Sequence, residues 1–296
     1  MGDAMLKEMK INSLPAPTWN WLRLNYVNVT MPEEADDFLT STEEADGVEI
    51  MRFTVGDKDY VSNREVAVED GKNATFIMNY TSENQVSAGI FNKASDAKEA
   101  KVNASDDGRQ EDIYKKGAVT KINATGNITF NVGKGATLSL VQVFMVSNDA
   151  NLANNVVINA DDKAKVKVIQ LFLGGRKTFS ELVINLNNKA DADVKNAYYV
   201  QDKNLLDINY VANHIGKKST SNMEIKGVLR DNAEKIFRGT IDLRNQGKGA
   251  EGKEHEDVLM LDPGVINKTI PLILCTEEDV FGSHGATIGR LDEELM

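Results

Sequence analysis

Three histidines and one cysteine are the residues of this 296-residue chain best suited to hold a metal or act as a nucleophile. His284 stands in Asp279-Val280-Phe281-Gly282-Ser283-His284-Gly285-Ala286-Thr287, among small residues that leave its ring open. An imidazole placed there could ligate a metal or take up a proton, although a lone histidine is more often structural. His214 reads as a core-edge histidine satisfied by a backbone partner, with a supporting functional role as the alternative. His255, in Gly252-Lys253-Glu254-His255-Glu256-Asp257, reads as solvated. Cys275 follows Pro271-Leu272-Ile273-Leu274, so it is expected to be buried as a small hydrophobe. Its other reading is a thiolate ligand or persulfide acceptor. The neighbouring Glu277, Glu278 and Asp279 would raise the thiol's pKa and oppose that role, while standing close enough in sequence to support a site themselves.

Other chemistries lack their patterns. No Cys-x-x-Cys or His-Glu-x-x-His zinc spacing occurs, and no Gly-x-x-x-x-Gly-Lys-Ser/Thr phosphate loop. Gly174-Gly175-Arg176-Lys177-Thr178 has glycines and basic residues at the wrong spacing and reads as a turn between strands. Asp161-Asp162 falls at a turn, and no acidic cluster of a polysaccharide lyase is selected.

The elements that must position these residues are short strands. Val48 to Phe53 and Ala74 to Tyr80 are rich in β-branched and aromatic residues. A repeat follows. Asn131, Asn159 and Asn187 recur at a spacing of 28 residues. At the same spacing Ala136, Ala164 and Ala192 align, as do Leu138, Val166 and Val194. Upstream, Ile128, Val156 and Ile184 fall in register, then Phe130, Ile158 and Leu186; downstream, Gln142 matches Gln170 and Phe144 matches Phe172. His214 stands 28 residues after Leu186 and continues that column. Each unit reads strand, polar turn, strand. A fixed period of this length, in strands, predicts a stacked β-solenoid, in which like residues pile up one strand spacing apart. A β-sandwich, with strands at shorter spacing and no in-register identity, is the alternative.

Open solenoid ends need caps. Residues 1–50 are expected to form the first, irregular and with a short helix over Met1 to Lys10. Its acidic stretch, Glu33 to Asp46, reads as a solvated loop. Residues 51–292 are expected to be the solenoid core, with a long surface excursion over Asn92 to Lys116. Residues 293–296 read as the start of a further, acidic segment.

A net charge of −11 argues against nucleic acid and anionic membrane surfaces as partners. No secretory leader or membrane span is legible, and one cysteine cannot make an internal disulfide framework. The expected compartment is the cytoplasm. Sequons such as Asn73-Ala74-Thr75, Asn123-Ala124-Thr125 and Asn127-Ile128-Thr129 then reflect an Asn- and Thr-rich composition.

The second half also resembles a known family. Leu173-Gly174-Gly175 is followed by Asp207, His214 and Thr220-Ser221, then by Lys226-Gly227-Val228-Leu229, Asp231, Ala233, Phe237-Arg238-Gly239 and Ile241. Pro271, Asp279-Val280 and Ser283-His284-Gly285-Ala286-Thr287 complete the series. In this order and spacing they resemble the SufB/SufD family of iron–sulfur cluster assembly scaffolds. Ser283-His284-Gly285 stands where the SufB side has a Glu-containing variant, so the resemblance is to SufD.

The resemblance implies a mainly β, right-handed parallel β-helix and a non-catalytic scaffold. Its implied partners are the SufC ATPase and a SufB-type paralogue, with a second copy of the chain as the alternative. The matching histidine in the family lies at the interface where the nascent cluster is thought to be held, so His284 becomes the candidate contact. Cys275 is a lesser one, with Glu277, Glu278, Asp279 and His214 in support. SufD proteins often carry a cysteine just before the Ser-His pair, where this chain has Gly282. The family's C-terminal helical segment, which docks SufC, lies beyond Met296, so weak or no SufC binding is expected of the chain as it stands. A thiolate-held cluster takes four cysteines, so a chain with one should hold a cluster only transiently, shared with a partner. The rival readings are a secreted carbohydrate-active β-helix enzyme and a purely structural solenoid.

Overall fold

Strand follows strand, and the chain alternates between two long sheets. The computed structural model describes residues 6–17, 23–33, 35–83, 113–114 and 118–290. Among these are nineteen strands and no helix. They are β1 (Leu6–Ile11), β2 (Val27–Pro32), β3 (Leu39–Ala45), β4 (Val48–Val55), β5 (Tyr60–Val68), β6 (Asn73–Ser82) and β7 (Thr120–Lys121). Then come β8 (Ala124–Val132), β9 (Thr137–Met145), β10 (Asn151–Ala160), β11 (Lys165–Phe172), β12 (Lys177–Leu186) and β13 (Asp191–Val200). The last six are β14 (Leu205–His214), β15 (Thr220–Leu229), β16 (Glu234–Leu243), β17 (Glu251–Met260), β18 (Ile266–Cys275) and β19 (Phe281–Arg290).

One sheet runs β18-β16-β14-β12-β10-β8-β5 and the other β19-β17-β15-β13-β11-β9-β6-β4-β3, parallel except for the antiparallel β3–β4 hairpin. This is a parallel β-solenoid of about seven turns. Period-2 alternation puts every second residue into the lumen, and the lumen residues form one continuous apolar core. Inward aromatics pile up turn on turn: Phe53, Tyr80, Phe144 and Phe172 have successive ring centroids 4.7, 4.4 and 4.5 Å apart. Tyr198 is next in this column, and Gly227 ends it, because the Tyr198 ring occupies the space a side chain at 227 would need.

The repeat is real but not uniform. Asn131 pairs with Asn159, Leu138 with Val166 and Gln142 with Gln170, at the spacing read from the sequence. On the next turn Asn159 pairs with Asn185 rather than Asn187, and Val168 with Val194. The turn after β11 is two residues shorter. It is the Gly174-Gly175 turn, with φ +98° at Gly175 and no room for a side chain at Gly174 against the Val146 carbonyl. An even slip keeps each residue on its own face, which is why the pattern survives it. His214 does pair with Leu186, but its column runs Val132–Ala160–Leu186–His214, not through Phe130 and Ile158.

The N-terminal expectation changes more. Leu6 to Ile11 are a strand, not part of a helix, because β2 offers an antiparallel partner. With β7 they form a three-stranded sheet. Of the acidic stretch, Leu39–Ala45 is an exposed strand on the edge of the nine-stranded sheet rather than a loop. Its Glu43 and Glu44 suit an edge that must stay in water. The solenoid sheets therefore begin before residue 51. Most of the excursion over 92–116, and residues 291–296, lie outside the described residues.

A second apolar cluster joins the N-terminal segments (Ile11, Leu14, Val29 and Met31 among them) to the outer surface of the seven-stranded sheet at Phe179, Leu205, Ile236 and Ile270. Strands β14 and β16 are consequently covered on both faces. Farther along that outer face, asparagines stack into amide ladders, Asn131–Asn159–Asn185–Asn213, each Nδ2 donating to the preceding Oδ1 at 2.8 Å.

Candidate functional site

The last turn, β18 and β19, is where the sequence candidates meet the fold. β18 pairs only with β16, and β19 only with β17, so each strand presents a free edge among the described residues. Ile266, Phe281 and Ile288 are exposed there, the last two to 51% and 52%. A free edge with a row of backbone donors and acceptors and exposed apolar side chains is a template for another chain.

His284 occupies an inward position of β19, in register with buried Glu254 on β17. It is exposed because no described turn stacks upon it. Cys275 likewise takes an inward position, in the column His214–Leu243–Cys275, yet it is exposed and not buried as its apolar neighbours suggest. Burial of a solenoid position requires the next turn as well as an inward direction. The Cys275 thiol donates to the Glu277 carbonyl at 3.1 Å. Gly282 faces Leu243 and Ile273, where an added Cβ would fit tightly at 3.2 Å.

The carboxylates beside Cys275 serve the turn. Glu277 accepts from the backbone N–H of Gln246 and of Glu278 at 3.1 Å each, and Asp279 pairs with Lys248 at 3.6 Å. His255 is exposed and bonded to Asp257 at 2.9 Å. His214 is two turns below Cys275, fully buried between the hydroxyls of Ser219 and Ser221, at 2.9 Å each. These are side-chain partners, and the Ser219 backbone is a further one, of the kind expected. Ser219 donates its own proton to the Gly216 carbonyl, so it accepts from His214 Nδ1–H, and Ser221 donates to Nε2. Burial pushes the His214 pKa down to about 4. The ring is therefore neutral near neutral pH. Among the described residues no three His, Cys, Asp or Glu side chains come close enough to hold a metal ion.

Two buried ionic groups were missed from the sequence. On the outer face of the seven-stranded sheet, Asp207 bonds Arg238, Tyr114 and Asn12, and Arg238 Nε donates to the Leu24 carbonyl at 2.7 Å. In the lumen under the last turn, Lys235 pairs with Glu256, and Glu254 lies beside them. Their signal was present: Lys235, Glu254 and Glu256 stand at alternate positions whose neighbours two residues away point inward. The family motifs fall on these same groups. Gly239 leaves the notch that the Glu254 carboxyl fills, and Gly227 leaves that of Tyr198.

Such a molecule belongs to the class of parallel β-solenoids, and its last described turn carries an exposed histidine. The family description "SUF system FeS cluster assembly, SufBD core domain" matches residues 110–296. The chain belongs to the SufBD family. It is 33% identical over 79 residues to the iron–sulfur cluster assembly protein SufD of Bacillus subtilis, covering 27% of this chain and 18% of that one. It is 25% identical over 180 residues to an iron–sulfur cluster assembly SufBD family protein of Mycobacterium leprae, covering 57% and 46%. The chain thus spans less than half the length of these curated relatives. No helix among the described residues is long and apolar enough to cross a membrane.

Proposed function

We propose that this chain is a SufD-like scaffold subunit of the Suf iron–sulfur cluster assembly system, with no catalytic turnover of its own. It works in the cytoplasm with a SufB-type paralogue, or a second copy, and with the SufC ATPase. The observation that carries this reading is the pair of edges that β18 and β19 leave free among the described residues. Strand addition by a partner would satisfy their backbone groups and cover Phe281 and Ile288. His284 and Cys275 would then be enclosed between the subunits. The cluster is cargo, and one thiol and the one imidazole on these two edges, His284, leave most of its ligands to the partner.

The test is co-expression with a SufB-type protein and SufC, followed by iron and sulfide analysis of the purified complex. Ile288→Lys should abolish co-purification while the isolated chain stays folded. His284→Ala should keep the complex and lower its iron and sulfide. Unchanged cluster content in His284→Ala sinks the site, and an intact Ile288→Lys complex sinks the docking end.

A further inference from the structure

The lumen beneath the last turn encloses one ammonium and two carboxyl groups, whose charges do not balance if all three are ionised. Lys235 and Glu256 are fully buried, and Glu254 is 4% exposed. Lys235 bonds Glu256 and, at 3.2 Å, Thr269 of β18. Tyr198 of β13 and Thr269 also donate to Glu256. Three donors thus converge on Glu256 and make it the anion of the pair. Glu254 receives none of these three. Its carboxyl reaches across the lumen into the notch at Gly239. Its neighbours from β15, Met223 in register and Ile225, are apolar, and Phe237 of β16 also lines the notch. From β18, Asn267 brings an amide whose two polar atoms are both buried without a partner. From β19, His284 stands in register with Glu254 and Ala286 with Glu256. From β14, His214 faces the lumen at the far end of β17, against Gly252. One ammonium cannot neutralise two carboxylates in a dry core, and an unpaired buried charge is strongly disfavoured.

We propose that the docking end of the solenoid is proton-gated: one proton held on Glu254 keeps the lumen neutral, and its loss loosens β17, β18 and β19. The Lys235–Glu256–Thr269 chain ties β16, β17 and β18 across the lumen, so a second anion beside it disturbs the strands that form the open edges. Burial first, and Glu256 second, push the Glu254 pKa up to about 8, within reach of mild alkali. The device concerns the isolated chain and stands or falls apart from any partner.

The experiment is amide hydrogen exchange of the chain alone, corrected for intrinsic rates, from about pH 6 to about pH 8. Release of one proton per opening raises the opening constant about tenfold per pH unit between the ordinary carboxyl value, 4.5, and the folded value of about 8, and the rise levels off above it. That rise is expected in β17–β19 and not in β9–β13. Glu254→Gln should abolish it, and His284→Ala, which removes the imidazole in register with Glu254, should keep it. Equal protection of β17–β19 at both pH values in the unaltered chain, or an undiminished rise in Glu254→Gln, overturns the proposal. Should Glu254→Gln fail to fold, infrared spectroscopy of the unaltered chain decides. A protonated-carboxyl stretch present at neutral pH and lost in alkali is expected, and its absence at neutral pH overturns the proposal.

Discussion

Asn12 Nδ2 donates to Asp207 Oδ1 at 2.7 Å, across 195 residues of sequence. The same carboxylate holds Arg238 and Tyr114, so one buried acid joins the N-terminal segment, the chain near residue 114 and two solenoid strands.

Removing that acid should be costly. Asp207→Ala leaves the Arg238 guanidinium buried without its counter-ion, and loss of about 3–5 kcal/mol is expected. Replacing both partners, as Asp207→Leu with Arg238→Met, should restore most of it, because no unpaired charge remains. Urea unfolding midpoints of the two variants make the comparison. Equal losses in both would assign the effect to packing instead.

His214 gives stability a pH slope. Its folded pKa, about 4, lies below the ordinary 6.5, so its contribution is present above pH 6.5 and fades as pH falls towards 4. The loss reaches at most about 3 kcal/mol. Protonation would also force Ser221 to give up the bond it donates to Nε2. His214→Leu should flatten this limb of the curve. Glu254 slopes the other way, since its raised pKa makes the fold lose stability as pH rises from about 4.5 towards 8. The histidine variant separates the two.

Amides inside and outside the solenoid should differ in worth. Asn154 is fully buried, and its side chain bonds Gln142, Tyr80 and Ser180. Asn159 sits in the exposed ladder between Asn131 and Asn185. Asn159→Ala is expected to cost about 0.5–1.5 kcal/mol, as water replaces the partners it loses. Asn154→Ala strands buried polar groups and should cost about 1–3 kcal/mol more. Denaturant titrations of the pair check the order.

The short turn is a packing constraint. Gly174→Ala drives a Cβ into the Val146 carbonyl, which as backbone cannot swing away. A loss of about 1–3 kcal/mol is expected. A thermal midpoint equal to that of the unaltered chain would show that the turn can relax.

Much of the architecture was legible in the residues. Alternation and the recurrence of Asn131 at Asn159 predicted stacked strands, and Ile128, Leu138, Gln142 and Phe144 pair as their spacing required. These are local facts, because a parallel strand pair repeats whatever period the chain repeats. The register of the following turn was not legible, since a two-residue loop contraction leaves the pattern of inward and outward residues unchanged. Of the site, His284 could be found by its segment, whereas Lys235, Glu254 and Glu256 looked like surface charges.

By itself the sequence determined that the chain coils as strands and that its apolar columns face inward. Only the tertiary structure decided what that facing means. Cys275 and Leu243 share one inward column, yet Leu243 is buried and Cys275 exposed, because among the described residues a further turn covers only the first. Lys235 and Glu256 meet because parallel stacking brings β16 opposite β17 across the lumen, 21 residues apart in sequence. Burial and ion pairing depend on the neighbours that stacking supplies, and His284 stands open at the end for the same reason.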